Sequence, residues 1–165
     1  MENVLQTIWL TVIDEFSDLN DPEHMTRVAV RLIVAALLGG LLGYQREQSG
    51  KAAGVRTHML VAVGAALFVI APEQVGYGGD DISRVIQGIV TGIGFLGAGT
   101  IIKGGSARDV KGLTTAAGIW LTAAIGVAAG LGREFAALIC TAFTLCILFF
   151  IPKFIGQDNR RENEE

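Results

Sequence analysis

Reactive groups are scarce in this chain. Its two cysteines, Cys140 and Cys146, fall in one apolar segment. On a helix they lie about 240° apart, and they have the spacing neither of metal ligands nor of a redox pair. The patterns HExxH, GxSxG and GxxxxGKS/T are all missing, and GIGFLGAG lies in an apolar run rather than at a strand-to-helix turn, so its glycines are no nucleotide fingerprint. No catalytic residue, metal site or cofactor follows from the sequence, and no nucleic-acid partner is expected. Charge is also sparse: 18% of residues are charged, and they are segregated into short connectors. A cleaved secretory signal is not expected, because Glu2 is acidic and no small-residue cleavage site follows an apolar core.

What the chain does have is long apolar runs and glycine. With 51% hydrophobic residues and a mean hydropathy of +0.50, it reads as a polytopic membrane protein. A soluble domain of 165 residues would have to bury several helices that are apolar all round. The organising stretch is Arg84 to Gly132. Its first half, RVIQGIVTGIGFLGAGTII, carries glycine at 88, 92, 94, 97 and 99, and its second half, GLTTAAGIWLTAAIGVAAGLG, carries Gly126 and Gly130. Each glycine costs a helix interior roughly 1 kcal/mol against alanine. In lipid the compensating gain is close approach of helix backbones. The GxxxG pairs Gly39 and Gly43, Gly88 and Gly92, and Gly126 and Gly130 are therefore expected at helix contacts.

The resulting fold class is an all-α integral membrane protein with about five transmembrane helices and an N-terminal amphipathic interfacial helix. Residues 1–24 form the amphipathic segment, with Val4, Leu5, Ile8, Trp9, Val12, Ile13, Phe16 and Leu19 at helical spacing. It lies flat in the interface or packs on its own protein. Residues 25–152 form the transmembrane domain, with spans near 28–44, 55–71, 84–102, 112–132 and 135–151, and residues 153–165 form a charged, disordered tail. Arg31, one turn into the first span, is expected to snorkel to the headgroups rather than pair with Glu23 or Asp81. Nine of the thirteen Lys and Arg fall on the side that holds the first loop, the third loop and the tail, against ten of the sixteen acids on the other side. The positive-inside rule makes the basic side cytoplasmic, leaving the N-terminus outside and the C-terminus in the cytoplasm.

Three segments in order, RLIVAALLGGLLGYQREQSGKAAGVRTHMLVAVGAALF, GIGFLGAGTIIK and VKGLTTAAGIWLTAAIGVAAGLG, span Arg31 to about Gly132. They resemble the MgtC/SapB family of bacterial inner-membrane proteins. The resemblance implies a five-helix membrane domain and a link to magnesium homeostasis, to growth in acid or low magnesium, and in some members to virulence. Many members read GxERE or GxERQ where this chain reads GYQRE, so neutral Gln45 stands at the family's acidic position. Some members continue into a soluble C-terminal domain, whereas this sequence ends at Glu165 and matches the short form.

Chemistry concentrates at the cytoplasmic rim: Gln45, Arg46, Glu47, Lys51, Arg56, Thr57 and His58 from one connection, and Lys103, Arg108, Asp109, Lys111, Thr114 and Thr115 from the other. Lys51 and Lys103 read first as solvated topology signals. Arg46, Arg56 and His58 sit at span ends and match the family motifs, and Arg56 is expected to face Asp109 or Glu47 across the cytoplasmic mouth. The resulting functional expectation is a non-enzymatic regulator acting through helix contacts with a membrane partner, embedded in the lipid bilayer. It would be a homo-oligomer, a dimer being favoured, or would join another membrane protein. The alternative is a small ion or solute transporter or channel handling Mg2+ or another small ion. The topology is open to test: a reporter active only in the cytoplasm should be silent at Met1 and active at Glu165, and finding both ends on one side would rule out five spans.

Overall fold

The computed structural model describes residues 2–15, 21–74, 79–103 and 110–161. They form six helices: α1 (Glu2–Glu15), α2 (Pro22–Gln48), α3 (Val55–Gln74), α4 (Gly79–Ala98), α5 (Leu113–Gly130) and α6 (Glu134–Arg161). A two-residue antiparallel ladder between α4 and α5 pairs Ile102 with Lys111 and Lys103 with Val110. Four helices are long and apolar enough to cross a membrane: α2, α3 as far as Pro72, α5, and α6 as far as Lys153. α4 has a span's length, but Asp80, Asp81 and Arg84 occupy its first turns and its glycines dilute the apolar content.

The chain divides into two compact units, Met1–Val30 and Arg31–Glu165. In the first, α1 forms where the apolar spacing predicts a helix, and Val4, Leu5, Ile8, Trp9, Val12 and Ile13 are all exposed along it. The turn before α2 is capped as the Asn20, Asp21 and Pro22 run suggests: Asp21 Oδ1 accepts from the backbone N–H groups of Glu23 and His24. Arg27 pairs with Glu23 one turn away at 2.7 Å.

In the second unit α5 is the central helix, packing against α3, α4 and α6. Half of α5 is buried, against 17% of the apolar window of α6. Its small residues allow this. A Cβ placed on Gly126 would collide with the Ala62 carbonyl, and one on Gly130 would come within 2.6 Å of the Ala66 carbonyl. Gly118 faces His58 in the same row. Residues 58, 62 and 66 of α3 thus meet 118, 126 and 130 of α5 in ascending order, so the two helices run parallel. A parallel pair needs a return crossing between its members. α4 supplies it: Gly97, at its C-terminal end, lies beside Ala116 in the first turns of α5, and twenty residues at 1.5 Å each give a length of about 30 Å.

α2 packs antiparallel to both. Gly39 meets the His58 carbonyl and Ala62 of α3, and Gly43 lies against Gly54 and Val55. Against α5 the register is set by two buried arginines. Arg31 Nη1 donates to the Gly130 carbonyl at 2.9 Å, and Arg46 Nη2 donates to Thr115 Oγ1 at 3.1 Å. The same fifteen-residue step separates 31 from 46 and 115 from 130. Arg31 therefore points inward, with Gly132 against its guanidinium, instead of snorkelling.

Two features differ from the sequence expectations. Of the three GxxxG pairs, Gly39 with Gly43 and Gly126 with Gly130 sit at close backbone contacts, but Gly88 and Gly92 meet nothing within 4 Å of an added Cβ. α4 splays from α3, and the two leave an apolar groove of about 510 Å³ lined by Leu60, Gly64, Phe68, Gly88, Gly92 and Leu96. Secondly, α6 does not stop near Ile151 but continues helical through Pro152 to Arg161, into the segment expected to be disordered. A proline in a membrane helix removes one backbone bond, which local adjustment offsets.

The glycine contacts separate two substitutions. Gly126→Leu should lower the thermal stability of the purified protein by about 1–3 kcal/mol through overpacking. Gly92→Leu should stay within about 0.5 kcal/mol of the parent, as substitutions outside packed contacts do. Thermal unfolding in detergent reads both, and equal losses would contradict the open groove.

Candidate functional site

The C-terminal end of α2 is closed by a glycine. Gly50 has φ 65°, a left-handed conformation that a side chain disfavours. It lets the Lys51 N–H return to the Arg46 carbonyl at 3.1 Å and the Gly50 N–H to the Glu47 carbonyl at 3.0 Å, a Schellman termination. The tight turn brings Glu47 over the start of α3, where Glu47 Oε2 accepts from the Val55 N–H at 3.0 Å. A carboxylate at a helix N-terminus satisfies an otherwise orphaned donor and complements the helix dipole. Glu47 is thus the cap of α3.

The same turn lays Arg46 inward. It is 3% exposed, it donates to Thr115 at the start of α5, and its Nε has no partner among the described residues. One turn into α3, His58 is 1% exposed. Its Nδ1 lies 2.9 Å from the Gly54 carbonyl, which can only accept, so Nδ1 carries the proton. Nε2 is left buried without a partner, directed toward Gly118 of α5, where an added Cβ would stand 3.8 Å away. Arg46, His58 and Thr115 therefore form one buried polar layer among α2, α3 and α5. Beside it opens a cavity of about 230 Å³ lined by Arg46, Lys51, Val110, Gly112, Thr114 and Thr115.

Other rim residues stand apart from this layer. Gln45 bonds Ser49 through Nε2 at 3.1 Å, while its Oε1 is buried without a partner. Arg56 is exposed and makes no hydrogen bond or ion pair among the described residues, because at the start of α3 it falls on the helix face away from His58. Of its two expected partners, Glu47 caps α3 instead and Asp109 lies outside the described residues, as does Arg108. Thr57 is half-buried, Thr114 and Lys111 are exposed, and Lys103 is placed only as a strand residue. Lys51, read from the sequence as a topology signal, lines the cavity. Gly112 lines it as well. Its signal was legible in GLTT, a helix start without an Asp, Asn or Ser cap.

The sequence profile of the MgtC family matches residues 32–156. The chain belongs to the MgtC family. Protein SrpB of Synechococcus elongatus is 44% identical over 134 residues, 73% of this chain and 72% of that protein. YhiD of Escherichia coli K12, provisionally named a magnesium transporter, is 41% identical over 126 residues, 72% of this chain and 58% of YhiD. Protein MgtC of Salmonella typhimurium is 44% identical over 117 residues, 71% of this chain. The chain spans about half the length of that MgtC and of MgtC of Brucella abortus. No solved structure matches. This family member is thus a membrane protein whose matched region contains α2 from Leu32, α3, α4, α5 and most of α6.

The buried layer should respond to mutation where the exposed rim does not. Thr115→Val keeps shape but leaves an Arg46 donor unsatisfied, which costs about 1–3 kcal/mol. Arg56→Ala should change stability by less than about 0.5 kcal/mol. Comparison of the two by thermal unfolding checks the placement, and a larger loss for Arg56→Ala would contradict it.

Proposed function

We propose that this chain is a regulatory protein of the bacterial cytoplasmic membrane, acting in magnesium homeostasis or in adaptation to acid and low magnesium through helix contacts with a membrane partner. The observation that carries this reading is the open flank of α4, where nothing among the described residues lies within 4 Å of a Cβ added at Gly88 or Gly92, while the other two GxxxG pairs are closed. In lipid, an exposed small-residue face favours a second helix because backbones can approach there. A second copy of the chain, giving a dimer, and a different membrane protein are both compatible with it.

The bundle interior favours regulation over conduction. Thr122, Thr141 and Thr144 are buried, and each donates to a carbonyl of its own helix, so their hydroxyls are already engaged. Among the described rim residues Arg46, Lys51, Arg56 and Lys111 stand against one carboxylate, Glu47, which is engaged in capping α3, whereas a magnesium path calls for carboxylates and retained waters. The parallel α3 and α5 with α4 returning between them support five spans, with the N-terminus outside, the C-terminus in the cytoplasm and α1 in the interface. The name of YhiD favours a second reading, a small ion or solute transporter or channel.

Flux separates the two. Liposomes containing only this protein should pass neither magnesium nor monovalent ions faster than empty liposomes, and clear flux would replace regulation by transport. In parallel, Gly92→Leu should fail to restore low-magnesium growth to a strain lacking the protein while reaching the membrane at normal level.

A further inference from the structure

We propose that the N-terminal end of α5 is an anion site that takes a phosphate group. α5 starts at Leu113 behind Gly112, whose φ of 95° and contact with the Thr100 carbonyl leave no room for a side chain, and no side chain caps the helix. The N–H groups of its first turn have no acceptor within the helix, and an eighteen-residue helix concentrates partial positive charge there. An uncapped helix end alone would carry nothing. Here it lines, together with Arg46, the cavity of about 230 Å³.

Arg46 is the second, independent observation. It is 97% buried by its 3% exposure, its Nε has no partner, and among the described residues no carboxylate lies within ion-pair distance of it. A buried guanidinium without a counter-anion is costly, and one partner hydroxyl, that of Thr115, does not neutralise it. Lys51 adds a second cation at the mouth, the Thr114 and Thr115 hydroxyls can donate, and among the described residues none that lines the cavity is acidic. A planar fork, a point charge and a row of backbone N–H groups together suit a tetrahedral oxyanion. The same charges repel a divalent cation. The cavity lies where α2 ends and α5 begins, at span-end depth, so the phosphate has two sources: free inorganic phosphate or a phospholipid headgroup.

The test uses the full chain, purified and delipidated in detergent. In one arm inorganic phosphate is titrated by calorimetry against chloride at equal ionic strength. In the other, native mass spectrometry counts phosphatidylglycerol retained after exposure to phosphatidylglycerol vesicles. Saturable binding in the first arm alone identifies free phosphate, in the second alone a headgroup, and in both a site open to either. Lys51→Ala, a change at an exposed residue, should weaken binding about three- to tenfold, the range for one charge-assisted contact at a partly exposed site. Arg46→Lys, which keeps the charge but loses the fork, should weaken it at least as much. Arg56→Ala, an exposed cation outside the cavity, should leave it unchanged. Should Arg46→Lys fail to fold, Lys51→Ala against Arg56→Ala decides. Absence of saturable binding in both arms, or equal weakening by Lys51→Ala and Arg56→Ala, overturns the site.

Discussion

The seating of α5 on the backbone of α3 determines most of this molecule. Within lipid, apolar side chains gain little by leaving the hydrocarbon for one another, so helices associate by close van der Waals contact and by polar groups that find partners. Gly126 and Gly130 bring α5 onto the Ala62 and Ala66 carbonyls, at a depth that any larger side chain would forbid. That contact makes α3 and α5 parallel, which obliges the chain to return through α4. It also leaves α2 to pack from the other side, through Gly39 and Gly43.

Once α5 is central, its two ends become the places where α2 can satisfy buried charge. Arg31 reaches the Gly130 carbonyl, where the C-terminal dipole of α5 is negative and suits a cation. Arg46 reaches Thr115 at the opposite end, where the dipole is positive and a cation is poorly placed. The two arginines hold the same antiparallel register, yet only the first sits in a favourable field. At Arg46 the field is unfavourable, and in the same layer His58 Nε2 has no hydrogen-bond partner among the described residues. Buried polar groups left unsatisfied are costly in a low-dielectric interior, and that cost is the ground for proposing an anion there.

The open flank of α4 is a different kind of incompleteness. Gly88 and Gly92 weaken the helix, and no close contact among the described residues repays the loss. Exposed apolar side chains are ordinary in lipid and identify nothing by themselves, so the argument for a partner rests on the missing side chains of Gly88 and Gly92 and not on Phe95 or Val90 beside them.

Periodicity and composition were enough to place the helices. Apolar runs of spanning length, the Asp21 and Pro22 start of α2, and small residues along α5 are local signals, each with a local physical cause, and α2 to α6 form near the expected positions. The end of α6 was not legible, because a proline that would stop a helix in water is tolerated in a membrane span. For the rim, sequence grouped Arg46, Arg56 and His58 together, since all lie near span ends, and only the facing of α3 distinguishes His58, turned toward α5, from Arg56, turned away. The same limit applied to glycine. A GxxxG pair reads alike whether it meets a backbone, as at Gly126, or an open groove, as at Gly92, because which helix lies opposite is decided by packing between segments far apart in the chain.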